Sequence, residues 1–92
     1  MSSAAAAAGR DGRPVPYVTM LAGIALREFE RLSVVEQIAI DEVLNGLEWH
    51  PHPDDAFDVD DAFAVRRCGF WIVYQRDDLT KSITVWVIIP QD

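Results

Sequence analysis

The amino-acid sequence predicts an α+β fold of order β-α-α-β-β-β, an antiparallel helical hairpin packed on a curled, mainly antiparallel sheet. Three observations predict it. The last third of the chain, Ala62 to Ile89, divides into three short β-rich runs that each alternate between two faces. Ahead of it, apolar residues recur at three- and four-residue spacing in two segments between Leu21 and Leu47. Between those segments, Ser33-Val34-Val35-Glu36 is an S-x-x-E capping box, in which the serine oxygen and the glutamate carboxylate occupy orphan backbone donors at a helix start.

Met1 to Pro14 is rich in Ala, Ser and Gly and has no buried-face pattern, so residues 1–15 are expected to form a flexible tail. Residues 16–92 then make a single domain, near the low end of what one hydrophobic core supports. Pro16 to Leu21, aromatic and β-branched after a proline, reads as the first strand. The first helix spans about Ala22–Leu32, with Leu21, Ile24, Ala25, Phe29 and Leu32 on its apolar side. The second spans about Val34–Glu48, its apolar arc holding Val35, Ala39, Ile40, Val43, Leu44 and Leu47. Pro51 and Pro53 stop it by denying backbone donors, and an acidic loop continues through Asp61.

The three strands are expected at Ala62–Arg67, Phe70–Arg76 and Ser82–Ile89, with turns at Cys68-Gly69 and around Asp77–Lys81. Strict alternation turns Phe63, Val65, Phe70, Ile72, Tyr74, Ile83, Val85, Val87 and Ile89 toward the helices. It leaves Ala62, Ala64, Arg66, Trp71, Val73, Gln75, Ser82, Thr84, Trp86 and Ile88 on the outward face. Apolar surface gathered on one face of a small domain marks a partner or a covering segment, and Trp is a frequent interface anchor. Trp71, Trp86, Val73, Arg66 and Ile88 are therefore the candidate partner-binding residues.

Charge narrows the choice of partner. The formal net charge is −7, and only eight Lys and Arg are present. From Ser33 to Ala64 there are nine acidic residues and no Lys or Arg. Phosphate-backbone binding draws its free energy from cations set against phosphates, so this balance argues against direct nucleic-acid binding and favours basic partners. A single cysteine, no apolar run long enough to span a bilayer and no basic leader predict a soluble cytoplasmic protein.

From Val65 to Tyr74 the residues resemble the RelE/ParE toxin superfamily. Its members carry a stretch close to leucine, arginine, two linker residues, a glycine turn, aromatic, arginine, an aliphatic pair and tyrosine. Val65-Arg66-Arg67-Cys68-Gly69-Phe70-Trp71-Ile72-Val73-Tyr74 is similar throughout except at Trp71. The proline-bearing loop after Leu47 and the final strand Ile83–Ile89 are similar too, and the resemblance covers roughly residues 16 to 90. It implies the toxin of a type II toxin–antitoxin system, held by a cognate antitoxin that wraps it.

In the RNA-cutting branch, the resemblance implies basic residues that stabilise charge at a scissile phosphate, together with positioned proton donors and acceptors. Only Arg66 matches that set. Ala64 stands where the family has lysine and Trp71 where it has the middle-strand arginine, and Pro90-Gln91-Asp92 replaces the expected basic and aromatic segment. The expectation is a toxin-like component that works mainly by protein binding, its target the ribosome or DNA gyrase. Two alternatives stay open: a divergent ribosome-dependent mRNA endoribonuclease using Arg66, Arg67 and Arg76 as catalytic residues, and a non-toxic adaptor on the same scaffold.

No cofactor is expected. His50, His52, Asp54 and Asp55 are metal-ligand types, but the His-Pro-His-Pro spacing fits no ligand pattern and reads as a proline-stiffened loop without metal. Cys68 has no histidine placed to activate it and reads as a turn residue.

Overall fold

The computed structural model describes residues 15–91; the expected tail lies almost wholly outside the described residues. The elements are β1 (Val18–Leu21), α1 (Gly23–Glu30), α2 (Val34–Trp49), β2 (Phe57–Val59), β3 (Ala62–Arg67), β4 (Phe70–Asp77) and β5 (Ser82–Pro90). They form a five-stranded sheet of order β1-β5-β4-β3-β2, with β1 parallel to β5 and every other pair antiparallel. Both helices pack on one face. No described helix is long and apolar enough to cross a membrane.

Local chemistry accounts for the boundaries. The Ser33 hydroxyl accepts from the Glu36 amide at 3.1 Å and the Glu36 carboxylate accepts from the Ser33 amide at 3.0 Å, closing the expected capping box. Cys68 and Gly69 both have positive φ, 57° and 81°, which sets the two-residue hairpin turn between β3 and β4. Asp77 closes the next turn by accepting from the Leu79 and Thr80 amides at 2.9 and 3.2 Å.

β2 corrects the sequence reading, which left Phe57–Val59 in the acidic loop. It pairs with β3 through Val59↔Ala62 across Asp60-Asp61, where Asp60 takes a left-handed φ of 56°. Aspartate is depleted in strands but tolerates that turn conformation, which hides so short an edge strand from propensity.

The core joins Ala25, Ile40, Leu44 and Leu47 of the helices to Val65, Ile72, Tyr74, Ile83 and Val85 of the sheet. Two helical positions depart from the expected apolar sides. Ile24 and Val35 are exposed.

The outer edge of β1 is closed by the end of α2. The Tyr17 amide donates to the Glu48 carbonyl at 2.8 Å, and one Glu48 carboxylate oxygen accepts from the Thr19 amide and hydroxyl at 3.1 and 2.9 Å. Unpaired strand groups that would otherwise template association are thereby occupied.

Candidate partner-binding face

The outward face of the sheet is built by the pairing of β3, β4 and β5. Arg66 lies opposite Trp71, Ala64 opposite Val73, Trp71 opposite Ile89 and Val73 opposite Val87. The register then shifts, since Tyr74 pairs with Val85 and leaves Trp86 as an extra residue in β5. A bulge of this kind puts two successive side chains on one side and reverses the alternation beyond it.

That reversal corrects three expectations. Ile88 lies opposite Ile72 in the core and is 2 % exposed, so it does not belong to the outward face. Val87 and Ile89, expected inside, stand on the outward face, and Ile89 is 46 % exposed. Trp86 remains outward, 44 % exposed, with its indole N–H donating to the Gln75 side-chain oxygen at 2.8 Å.

Trp71 is the centre of one end of the face. Its ring lies 5.7 Å from that of Phe57 in a tilted contact, and the Arg66 guanidinium carbon is 5.6 Å from its centroid. Phe57, Asp55, Arg66 and Trp71 line a cleft of about 270 Å³. Val59 on β2 and Val18 and Met20 on β1 extend the apolar surface to both edges. Phe57 and Val59 escaped the sequence reading although Phe57-Asp58-Val59 does alternate; the five aspartates of residues 54–61 masked the signal. Among the described residues, no element covers this face.

The three arginines considered for catalysis are not assembled. Arg66 is on the outward face. Arg67 points to the helix side, where its guanidinium forks to both oxygens of Asp55 at 2.7 and 2.9 Å and bonds the Arg66 carbonyl. That fork holds the Asp55 carboxyl below its ordinary range and pushes the Arg67 guanidinium up. Arg76 sits near the far end of β4, pairs with Asp78 at 3.3 Å and lies over the Phe63 ring at 5.8 Å. Five residues of strand, about 17 Å, separate the pairing levels of Arg66 and Arg76.

Tyr74 faces the core and donates to the Pro51 carbonyl at 2.8 Å, and burial pushes its hydroxyl up to about 12. Cys68 is exposed in its turn. His52 places its ring edge on Phe63, with centroids 4.7 Å apart, and approaches Asp58 at 3.7 Å. Among the described residues, no three His, Cys, Asp or Glu side chains converge as a metal site. A second concavity, about 510 Å³, runs beside α2 and is lined by Glu42, Val43, Leu47, His50, His52 and Arg67 among others.

No protein-family model and no curated protein sequence matches the chain. Solved structures do. A chain of the toxin–antitoxin complex RelBE2 from Mycobacterium tuberculosis superposes with a TM-score of 0.73 at 20 % identity, over 83 % of this chain and 99 % of that one. The isolated RelE toxin of E. coli gives 0.71 at 18 % identity, over 83 % and 85 %. A chain of the archaeal RelE–RelB complex from Pyrococcus horikoshii OT3 gives 0.66 at 15 % identity, over 83 % and 96 %. The fold is that of RelE toxins.

Proposed function

We propose that this chain, built on the RelE toxin fold, is the toxin-like component of a type II toxin–antitoxin system and acts mainly by binding protein. One observation carries the reading: the sheet face that bears Trp71, Trp86, Val73, Val87 and Ile89 is apolar, with Trp86 and Ile89 exposed, Trp71, Val73 and Val87 partly buried, and both described helices packed on the opposite face. Two-layer folds bury such a face against another element, and a large exposed apolar patch marks a partner surface. Two of the neighbours were solved as toxin–antitoxin complexes, which supports a cognate antitoxin as that partner.

The site chemistry supports binding over RNA cleavage. Ala64 and Trp71 occupy the positions where the family resemblance calls for cations, and Arg67 and Arg76 are engaged by Asp55 and Asp78. A phosphoryl transition state needs preorganised cations close together, which these positions do not supply. A net charge of −7 further disfavours contact with a polyanion. Action on DNA gyrase or on another protein target fits these residues better than action on mRNA.

Tightly induced expression, with pulse labelling of protein, RNA and DNA synthesis, tests the reading. Arrest that begins in DNA synthesis and is relieved by the product of an adjoining antitoxin gene is the expected result. Arrest that begins in protein synthesis, with ribosome-linked transcript cuts abolished by Arg66→Ala, would replace the reading with a nuclease. Soluble protein without arrest would leave a non-toxic adaptor.

A further inference from the structure

Trp49 stands one helical turn beyond Gly46 on the side of α2 that turns away from the core. Ile40, Leu44 and Leu47 are the buried residues of that helix, while Glu42, Gly46 and Trp49 recur at spacings of four and three on its solvent-facing side. The indole is 50 % exposed, where an amphipathic helix ordinarily carries polar residues. Beside it runs the concavity of about 510 Å³, with Val43, Gly46 and Leu47 as its floor and Glu42, His50 and Asp54 on its rim.

Gly46 has no explanation within one copy. Glycine destabilises the interior of a helix relative to alanine, and a Cβ at this position would meet nothing within 4 Å among the described residues. A missing side chain on a helix surface is of use where another surface approaches closely. One patch thus carries a knob, Trp49, and a hole, Gly46.

That is what an isologous contact requires, because a two-fold axis sets a patch against its own copy. When two α2 helices cross antiparallel with residue 46 of each opposite residue 49 of the other, each indole enters the other copy's groove. The same pairing sets Glu42 over the His50-to-Pro53 loop of the other copy, a carboxylate acceptor facing imidazole donors.

We infer that the occupant of this groove is a second copy of the chain, and that the protein is a two-fold dimer held by Trp49 of each copy over Gly46 of the other. Tryptophan seated in a pocket is a frequent interface anchor. Two such anchors, with the groove walls that they cover, come to about 1,000 Å² of buried surface, the low end for a specific interface, so association near 1 µM is expected. The groove lies on the helix side of the sheet, and the inference is independent of the reading of the outward face.

Sedimentation equilibrium of the full-length protein tests it, in about 0.15 M salt to screen the repulsion between copies of net charge −7. The wild type is expected to hold the mass of two copies above about 20 µM, with a Kd of about 1 µM. Trp49→Ala removes the knob and Gly46→Leu fills the hole, and each alone should weaken association at least about tenfold. The open space at residue 46 lets Gly46→Leu fold, and its Tm should not fall below that of the wild type. An equimolar mixture of the two variants should associate more tightly than either alone, because one intact pair of knob and hole then forms.

Recovery on mixing is a result that indiscriminate apolar sticking does not produce. A monomeric wild type would overturn the inference and leave the groove to the first fourteen residues of the chain or to an antitoxin. A dimer that both single variants leave intact, or a mixture no tighter than the variants alone, would overturn it as well.

Discussion

Ile72 of β4 lies directly opposite Ile88 of β5, and both are closed off in the core, while the next residue, Ile89, faces outward beside Trp71. The extra residue at Trp86 decides which of the two neighbouring isoleucines is buried. Ile88→Ala deletes buried carbon and leaves a cavity, so it should cost about 2–5 kcal/mol in urea unfolding. Ile89→Ala, at a half-exposed side chain, should stay within about 1 kcal/mol. The reverse order, with the larger loss at Ile89, would remove the bulge from the fold.

The Cys68 turn offers the opposite sign. A side chain at φ 57° carries steric cost that Gly avoids and Asn relieves by local hydrogen bonding. Cys68→Asn also creates the Asn-Gly pair favoured where both central residues need positive φ. We expect a gain of about 0.5–1 kcal/mol, seen as a rise of several degrees in Tm.

These two sites show what was legible in the sequence. The order of elements, the capping box and the inward side of β3 and β4 follow from local signals that the structure keeps. Ile88 could not be placed from alternation alone, because a bulge leaves no mark in a run such as Trp86-Val87-Ile88-Ile89 in which every residue is apolar. Phe57 and Val59 were hidden by aspartates whose turn role only the β2–β3 pairing reveals. Arg66 and Arg67 are adjacent in sequence yet lie on opposite faces, as the pleat requires. The ion pair that engages Arg67 depends on Asp55, twelve residues earlier, a contact no local pattern encodes.

Tyr74 links β4 to the loop after α2 and gives the fold a dependence on alkaline pH. Its hydroxyl donates to the Pro51 carbonyl and is pushed up to about 12 by burial. An unfolded tyrosine titrates near 10, so between about pH 10 and 12 the native state holds a proton that the unfolded state has lost. Stability therefore is complete below pH 10 and falls as pH rises through that window. Tyr17, raised by its hydrogen bond to Asp78, acts in the same direction. Tyr74→Phe should cost about 1 kcal/mol at neutral pH and flatten the alkaline slope relative to wild type in parallel urea titrations.

Glu48 controls the edge of the sheet where the chain enters it. Its carboxylate receives both donors of Thr19 while its carbonyl receives the Tyr17 amide, so the end of α2 occupies the pairing groups of β1 that face away from β5. Glu48→Ala removes the side-chain acceptor and leaves the Thr19 amide without this partner on an exposed edge. Hydrogen bonds to a charged group contribute about 1.5–3 kcal/mol, and a loss near the lower end is expected because the site is only partly buried. The second consequence is colloidal. An opened edge next to Val18 and Met20 should let copies add to one another, giving concentration-dependent sedimentation in the variant where the wild type stays at a single size. Glu48→Gln keeps an acceptor oxygen and should retain most of the stability and the closed edge. A glutamine variant as unstable and as aggregation-prone as the alanine one would assign the effect to charge and not to the occupied edge.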